Sequence, residues 1–366
     1  MKIAQVCPYD FSRPGGVKSH IISLSKYLTK LGHTVKIIAP NVNADLVEEP
    51  NINFFGKNRS LNLGGTKIDL NVALKEEKKA LKEFLKKEDF DIIHYHTIWN
   101  PLLPFQIRKY AKAKHVATFH DTPKNQFVGR WIMPLVARWV FSFLNGIISV
   151  SESQAGYIRR FSKRKINVIP NGIDLQEINK YPKSSKDPSC FQLLFLGRLE
   201  PRKGVMHALG AFRQLKGSYP NFKLVIAGDG DNREDVETFI KDYNLTDVEL
   251  AGFVDESVKY KLLSESDVYV APALYGESFG IVLLEAMAVG TPIAGFANDG
   301  YKNVITDEMR PHFPEPYDTA GLVKSIEGLL LSEKRDALTL HGLNEVKKYD
   351  WEVLTAQIDK VYASAI

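Results

Sequence analysis

Two glutamates with seven residues between them, in Gly276-Glu277-Ser278-Phe279-Gly280-Ile281-Val282-Leu283-Leu284-Glu285, carry the strongest chemical signal in the chain. The pattern predicts a loop carrying Glu277, a glycine entry at Gly280, and a helix that holds Glu285 about one turn inside. Unpaired amides near Phe279, Gly280 and Ile281 would face a phosphate, helped by the helix dipole. Glu285 could then accept from ribose hydroxyls and Glu277 from hydroxyls of a sugar. A capped helix with two solvated glutamates is the plainer alternative. A second group, Gly197-Arg198-Leu199-Glu200-Pro201-Arg202-Lys203-Gly204, follows an apolar run. Cations after a glycine turn suit a diphosphate leaving group, Arg as a fork and Lys as a point charge; a solvated basic loop is the alternative.

Three weaker groups follow. Pro14-Gly15-Gly16-Val17 opens a helix after the first strand and would let backbone approach a ligand; it lacks the G-x-G-x-x-G spacing of a dinucleotide site. His120 ends Thr118-Phe119-His120-Asp121, and His94 and His96 end another strand, where each imidazole is either a ligand contact or a satisfied core group. Gly228-Asp229-Gly230-Asp231 reads as a turn bordering a nucleotide, and the absence of an evident third ligand argues against a metal.

The elements that must position these residues come in two series. Ile3–Cys7, Thr34–Ala39, Ile92–Tyr95, His115–Phe119, Ile147–Val150 and Asn167–Ile169 read as strands, alternating with helices over Val17–Leu31, Asn71–Lys87, Leu102–Ala111 and Ser151–Phe161. Continuous apolar strands between helices indicate a parallel sheet covered on both faces. The polar, proline-bearing stretch 180–188 reads as a linker. The alternation then restarts, with strands at Gln192–Leu196, Lys223–Ala227, Val248–Leu250 and Val268–Ala271 and helices between them. The reading is therefore α/β, with two Rossmann-like doubly wound domains at 1–180 and 181–349. Ligands in such sheets bind beyond the carboxyl ends of the strands.

The chain has 366 residues, enough for two cores, with 44% hydrophobic and 25% charged residues. Its net charge of +5 is too thin for a nucleic-acid binder. Two distant cysteines, Cys7 and Cys190, fit a reducing compartment and small buried core positions. Met1-Lys2 runs straight into a strand, and no apolar run reaches membrane-spanning length, so a cytoplasmic location is expected. The stretch Asn71–Lys87 carries six lysines on one side and Leu74, Leu81, Phe84 and Leu85 on another. It reads either as a basic amphipathic helix on an anionic membrane or as a solvated helix with internal ion pairs. Phe127, Arg130, Trp131, Arg138 and Trp139 offer a second possible membrane contact.

Together the Glu277–Glu285 motif, Gly197-Arg198 with Lys203, Pro170-Asn171-Gly172-Ile173-Asp174, Gly228-Asp229-Gly230 and Tyr349-Asp350-Trp351 resemble glycosyltransferase family 4, over essentially the whole chain. Cys7-Pro8-Tyr9, Pro14-Gly15-Gly16-Val17 with Ser19-His20, and Val116–His120 are most similar to its bacterial phosphatidyl-myo-inositol mannosyltransferases. The resemblance implies a GT-B fold whose two domains face a central cleft, with the last helix, about 350–366, returning to the first domain. It implies a retaining, metal-independent hexosyl transfer from a nucleotide sugar, GDP-mannose, to a membrane lipid on the inner face of the cell membrane, with no cofactor. Arg198 and Lys203 would bind the diphosphate, assisted by Gly15, Gly16 and the amides of Phe279, Gly280 and Ile281. Glu285 would hold the ribose, Glu277 and His120 the hexose, and Gly228, Asp229, Val254 and Asp255 would border the nucleotide. Tyr9, Pro14, Lys18 and Asp121 fall on the acceptor side. Lys18 and Asp121 depart from that group, which would carry uncharged polar residues there, so another acceptor (diacylglycerol or a growing polysaccharide) stays open. A nucleotide-sugar epimerase and a non-enzymatic sensor are the remaining alternatives.

Overall fold

A computed structural model describes residues 1–7, 9–12, 15–42, 49, 51–63, 66–98, 102–120, 133–181, 185–277 and 279–366. The chain divides into two compact units, Met1–Gly172 with Trp351–Ile366, and Ile173–Asp350. The division falls at Gly172, ahead of the polar stretch that suggested a boundary at 180/181. Ile173 already donates its amide to the Tyr349 carbonyl at 2.9 Å and buries its side chain in the second unit's core.

The strands of the first unit are β1 (Lys2–Val6), β2 (Thr34–Ala39), β3 (Ile52–Phe54), β4 (Lys57–Leu63), β5 (Thr66–Val72), β6 (Ile92–His96), β7 (Lys114–Phe119), β8 (Gly146–Ser149) and β9 (Asn167–Val168). Seven of them form one sheet in the order β3-β2-β1-β6-β7-β8-β9, while β4 and β5 pair antiparallel as a separate hairpin. Every pairing in the large sheet is parallel. Residues two apart on a strand share a face. Ile3, Ile92, Val116 and Ile148 therefore meet the helices Gly16–Lys30 and Trp351–Ala365 on one side of the sheet. Ala4, Ile93, Tyr95, Ala117 and Ile147 meet the helices Lys75–Glu88 and Met133–Phe143 on the other.

The second unit's strands are β10 (Phe191–Leu196), β11 (Phe222–Ala227), β12 (Val248–Gly252), β13 (Val268–Ala271) and β14 (Ile293–Gly295), parallel in the order β12-β11-β10-β13-β14. The order reverses between β10 and β13, so connections leave these two neighbours in opposite directions and a crevice opens beyond their carboxyl ends. The helix Ile281–Val289 follows β13 and is apolar except at Glu285, as suits a helix largely enclosed by protein.

Two expectations from the sequence need correction. Asn71 and Val72 belong to β5, and the basic helix begins only at Lys75. Its apolar side, Leu81 and Leu85 with Phe84, is packed into the first unit's core and cannot also lie on a membrane. Cys190 is only half-buried, whereas Cys7 is fully enclosed. No helix among the described residues is long and apolar enough to cross a membrane.

Candidate active site

The second unit's charged residues gather at its switch point. The turn after β10 carries Gly197 to Gly204, and the loop after β13 carries Gly276 to Gly280. The Lys203 Nζ lies 2.6 Å from Glu277 Oε1, and Arg202 reaches the same oxygen at 3.3 Å. Arg202 Nε also donates to Glu200 at 2.7 Å, and Arg198 pairs with Glu200 at 3.0 Å while remaining 74% exposed. Lys203 and Glu277 are largely shielded, so their attraction exceeds that of a surface pair. The structure thus brings Lys203 to Glu277 as the sequence suggested. It puts Arg202 between them, a role the sequence did not single out, and leaves Arg198 at the rim.

Glycines make the close approaches possible. Gly280 caps the helix Ile281–Val289 with φ 106°, and no side chain among the described residues caps it. The amides at that amino end are therefore open to an anion. Phe279 is buried and meets Tyr349 edge-on, 6.1 Å between ring centroids, which anchors the loop. Gly228 (φ 144°) passes so close to the Gly197 carbonyl that a Cβ would stand 1.9 Å from its oxygen. Gly300 backs the Glu277 loop closely too, for a Cβ there would stand 2.3 Å from the Glu277 carbonyl oxygen.

Glu285 is held by Lys259 at 2.7 Å and by the Tyr260 hydroxyl, which donates at 3.3 Å. Burial, then the Glu285 charge, raises the Tyr260 phenol, which stays a donor. Sequence periodicity could not show this pairing, because its partners are 25 and 26 residues apart on different helices. Two predicted nucleotide contacts have other work. Asp255 caps the helix Glu256–Glu265, accepting from Val258 N at 2.9 Å. Asp229 accepts from Gly230 N at 2.9 Å within its own turn and pairs with Arg233 at 3.5 Å. Val254 packs against the core, while its neighbour Phe253, in the 252–255 loop expected near the nucleotide base, is 88% exposed after the edge strand β12.

The first unit answers with imidazoles. Its sheet reverses order between β1 and β6; Gln5 and His96 lie at or beside the carboxyl ends there, His94 two residues earlier on β6, and His120 just after the adjacent β7. His96 Nδ1 is 3.0 Å from His120 Nε2, and His20 Nδ1 is 3.1 Å from Asn171 Oδ1. Burial holds His20 down to about 4 and keeps His94, His96 and His120 well below the usual histidine range. One nitrogen from each of His20, His96 and His120 falls within 4.8 Å of the others, a set that could hold a metal ion. Two of these rings, His96 and His120, are already hydrogen-bonded to each other. The helix amino end at Gly15 and Gly16 is exposed, and a Cβ at Gly15 would meet nothing. Tyr9 is exposed, and Lys18 lies over the Phe11 ring at 5.3 Å. Burial pushes the neighbouring Cys7 thiol up to about 12, which removes it as a nucleophile. Pro14, Asp121, Phe127, Arg130 and Trp131 lie outside the described residues.

Comparison with known proteins agrees with this architecture. Residues 14–177 match the model "Glycosyltransferase Family 4", and residues 177–339 match "Glycosyl transferases group 1". The phosphatidyl-myo-inositol mannosyltransferase of Mycolicibacterium smegmatis is 32% identical over 377 residues, covering 99% of this chain and 93% of its own. The chain is a family 4 glycosyltransferase. Its fold also matches a glycosyltransferase from Rickettsia africae, with a TM-score of 0.78, 19% identity and coverage of 100% and 98% of the two chains. The Anabaena HepE protein in complex with UDP and glucose aligns over 100% of both chains with a TM-score of 0.73 and 19% identity. The glycosyltransferase therefore has the GT-B fold of two Rossmann-like domains.

Proposed function

We propose that this glycosyltransferase moves mannose from GDP-mannose to phosphatidyl-myo-inositol, with retention of configuration and without a metal. The observation that carries the reading is the meeting of Lys203 and Glu277 beside the uncapped amino end of helix Ile281–Val289. The diphosphate would sit on the amides at 279–281, with Lys203 and Arg198 neutralising its oxygens as the bond to the sugar breaks. Displaced from Lys203, Glu277 is left to accept from hexose hydroxyls. Glu285, oriented by Lys259 and Tyr260, is set to accept from the ribose. Phe253 offers its ring to the base. His120 contacts the hexose. On the face the diphosphate leaves, the acceptor hydroxyl forms its bond to the anomeric carbon and gives its proton to the departing phosphate oxygen. The names of relatives such as the Mycolicibacterium smegmatis enzyme support this donor and acceptor.

The acceptor requires peripheral contact with an anionic membrane. With Leu81 and Leu85 enclosed, the basic helix can offer that contact only its exposed lysines 75, 78, 79, 82, 86 and 87 and Leu74 at its amino end. A second acceptor, diacylglycerol, stays open because Lys18 stands where the resemblance implies an uncharged residue. Incubating the protein with labelled GDP-mannose and each lipid separates the readings. Transfer to phosphatidylinositol is expected, and transfer to diacylglycerol alone would replace the acceptor. If GDP-mannose is neither bound nor consumed, the proposal fails.

A further inference from the structure

A continuous run of buried hydrogen bonds connects the C-terminal helix Trp351–Ala365 to His120. Tyr362 Oη lies 2.7 Å from His94 Nδ1, and Gln5 Nε2 donates to the same hydroxyl at 3.4 Å. Gln5 Oε1 lies 2.6 Å from His96 Nε2, and His96 Nδ1 lies 3.0 Å from His120 Nε2. A side branch joins His94 Nε2 to Thr118 Oγ1 at 2.7 Å. All six side chains are buried. Enclosed together, the imidazoles are neutral, and each carries one N–H.

The proton positions then follow in sequence. A carbonyl oxygen only accepts, so His96 carries its hydrogen on Nε2 and is bare at Nδ1. The hydrogen between His96 and His120 must come from His120 Nε2. His120 is left with a lone pair on Nδ1.

We propose that Gln5 and His96 are positioning residues that lock His120 as its Nε2–H tautomer, so that it meets a sugar hydroxyl as an acceptor. The inference rests on the assignment of His120 to the hexose. Tyr362 completes the device: its hydroxyl accepts from the Gln5 amide nitrogen, while the amide oxygen faces His96. Reversing the amide would reverse the proton in every link and turn His120 Nδ1 into a donor.

Long-range 1H–15N correlation of the histidine rings in the full chain, labelled with 15N-histidine, reads the tautomer directly. The wild type should show His120 protonated at Nε2 and bare at Nδ1 near pH 7. Gln5→Met should give mixed tautomers at His120 and lower kcat for nucleotide-sugar consumption about tenfold with little change in donor KM. Tyr362→Phe should do the same in smaller degree, and it serves if the first variant does not fold. A wild-type His120 protonated at Nδ1, or a ring unchanged in both variants, overturns the proposal. If the wild type consumes no nucleotide sugar, the functional reading fails by itself, because the spectrum still decides the tautomer.

Discussion

At the carboxyl edge of the second unit's sheet, Lys203 and Arg202 converge on Glu277, and Lys259 converges on Glu285. At the same edge of the first unit's sheet, His96 meets His120 and His94 meets Thr118. Both sheets are parallel and doubly wound, yet one edge is built from charge pairs within reach of water and the other from enclosed neutral rings. The difference follows from where each edge sits in its unit. Loops after β10 and β13 leave the core, so their charges keep part of their hydration and can exchange partners with a ligand. The first unit's imidazoles lie beneath the helices Gly16–Lys30 and Trp351–Ala365, where an ionised group would lose its water. A site that must grip a diphosphate needs the first arrangement. A site that must present a hydrogen bond of fixed direction is served by the second.

Breaking the charged edge should have the largest effect. Lys203→Ala is expected to lower turnover of the nucleotide sugar by about 10²–10³-fold, with a melting temperature close to wild type. Steady-state kinetics beside calorimetry checks this, and near-normal turnover would remove Lys203 from the reaction. Gly228→Ala tests the scaffold beneath that edge. The added methyl would collide with the Gly197 carbonyl, so a loss of about 1–3 kcal/mol in stability is expected by denaturant titration.

Acid should distinguish the units. The unfolded chain protonates a histidine near pH 6.5, whereas folded His20 resists until about 4. Between these values the unfolded state binds more protons, so this stabilisation is complete above pH 6.5 and is lost as pH falls toward 4. The slope is about 1.4 kcal/mol per pH unit for each such group. Hydrogen exchange at pH 5 against pH 7 should therefore show the first unit opening more than the second. Equal change in both would contradict the contrast. The smallest effect belongs to the surface. Lys78→Gln with Lys82→Gln should weaken sedimentation with anionic liposomes by about 1 kcal/mol for each lysine and leave donor binding unchanged. Unaltered sedimentation would remove this helix from the membrane contact.

Some of this contrast was legible in the sequence. Apolar runs of four to six residues marked the parallel strands, because burial on both faces leaves no alternation to confuse with a helix. The Glu277 loop and Lys203 were readable since glycines and charges stand together at strand ends. The hairpin Lys57–Val72 was missed: its polar strands alternate weakly, although Gly64-Gly65 between them was a turn signal. Strand β14, three residues long, has too little pattern to find. Gln5 could not be singled out at all, because its partners His96 and Tyr362 come from 91 and 357 residues away.

The central claim is that a pyrophosphate lies between the amino end of helix Ile281–Val289 and the cations at 198 and 203. A crystal structure with GDP-mannose bound measures it directly. The account predicts phosphate oxygens on the amides of residues 279–281 and Lys203 moved from Glu277 onto the diphosphate, with the mannose beside Glu277. A diphosphate bound elsewhere, with the 2.6 Å contact between Lys203 and Glu277 intact, would contradict it.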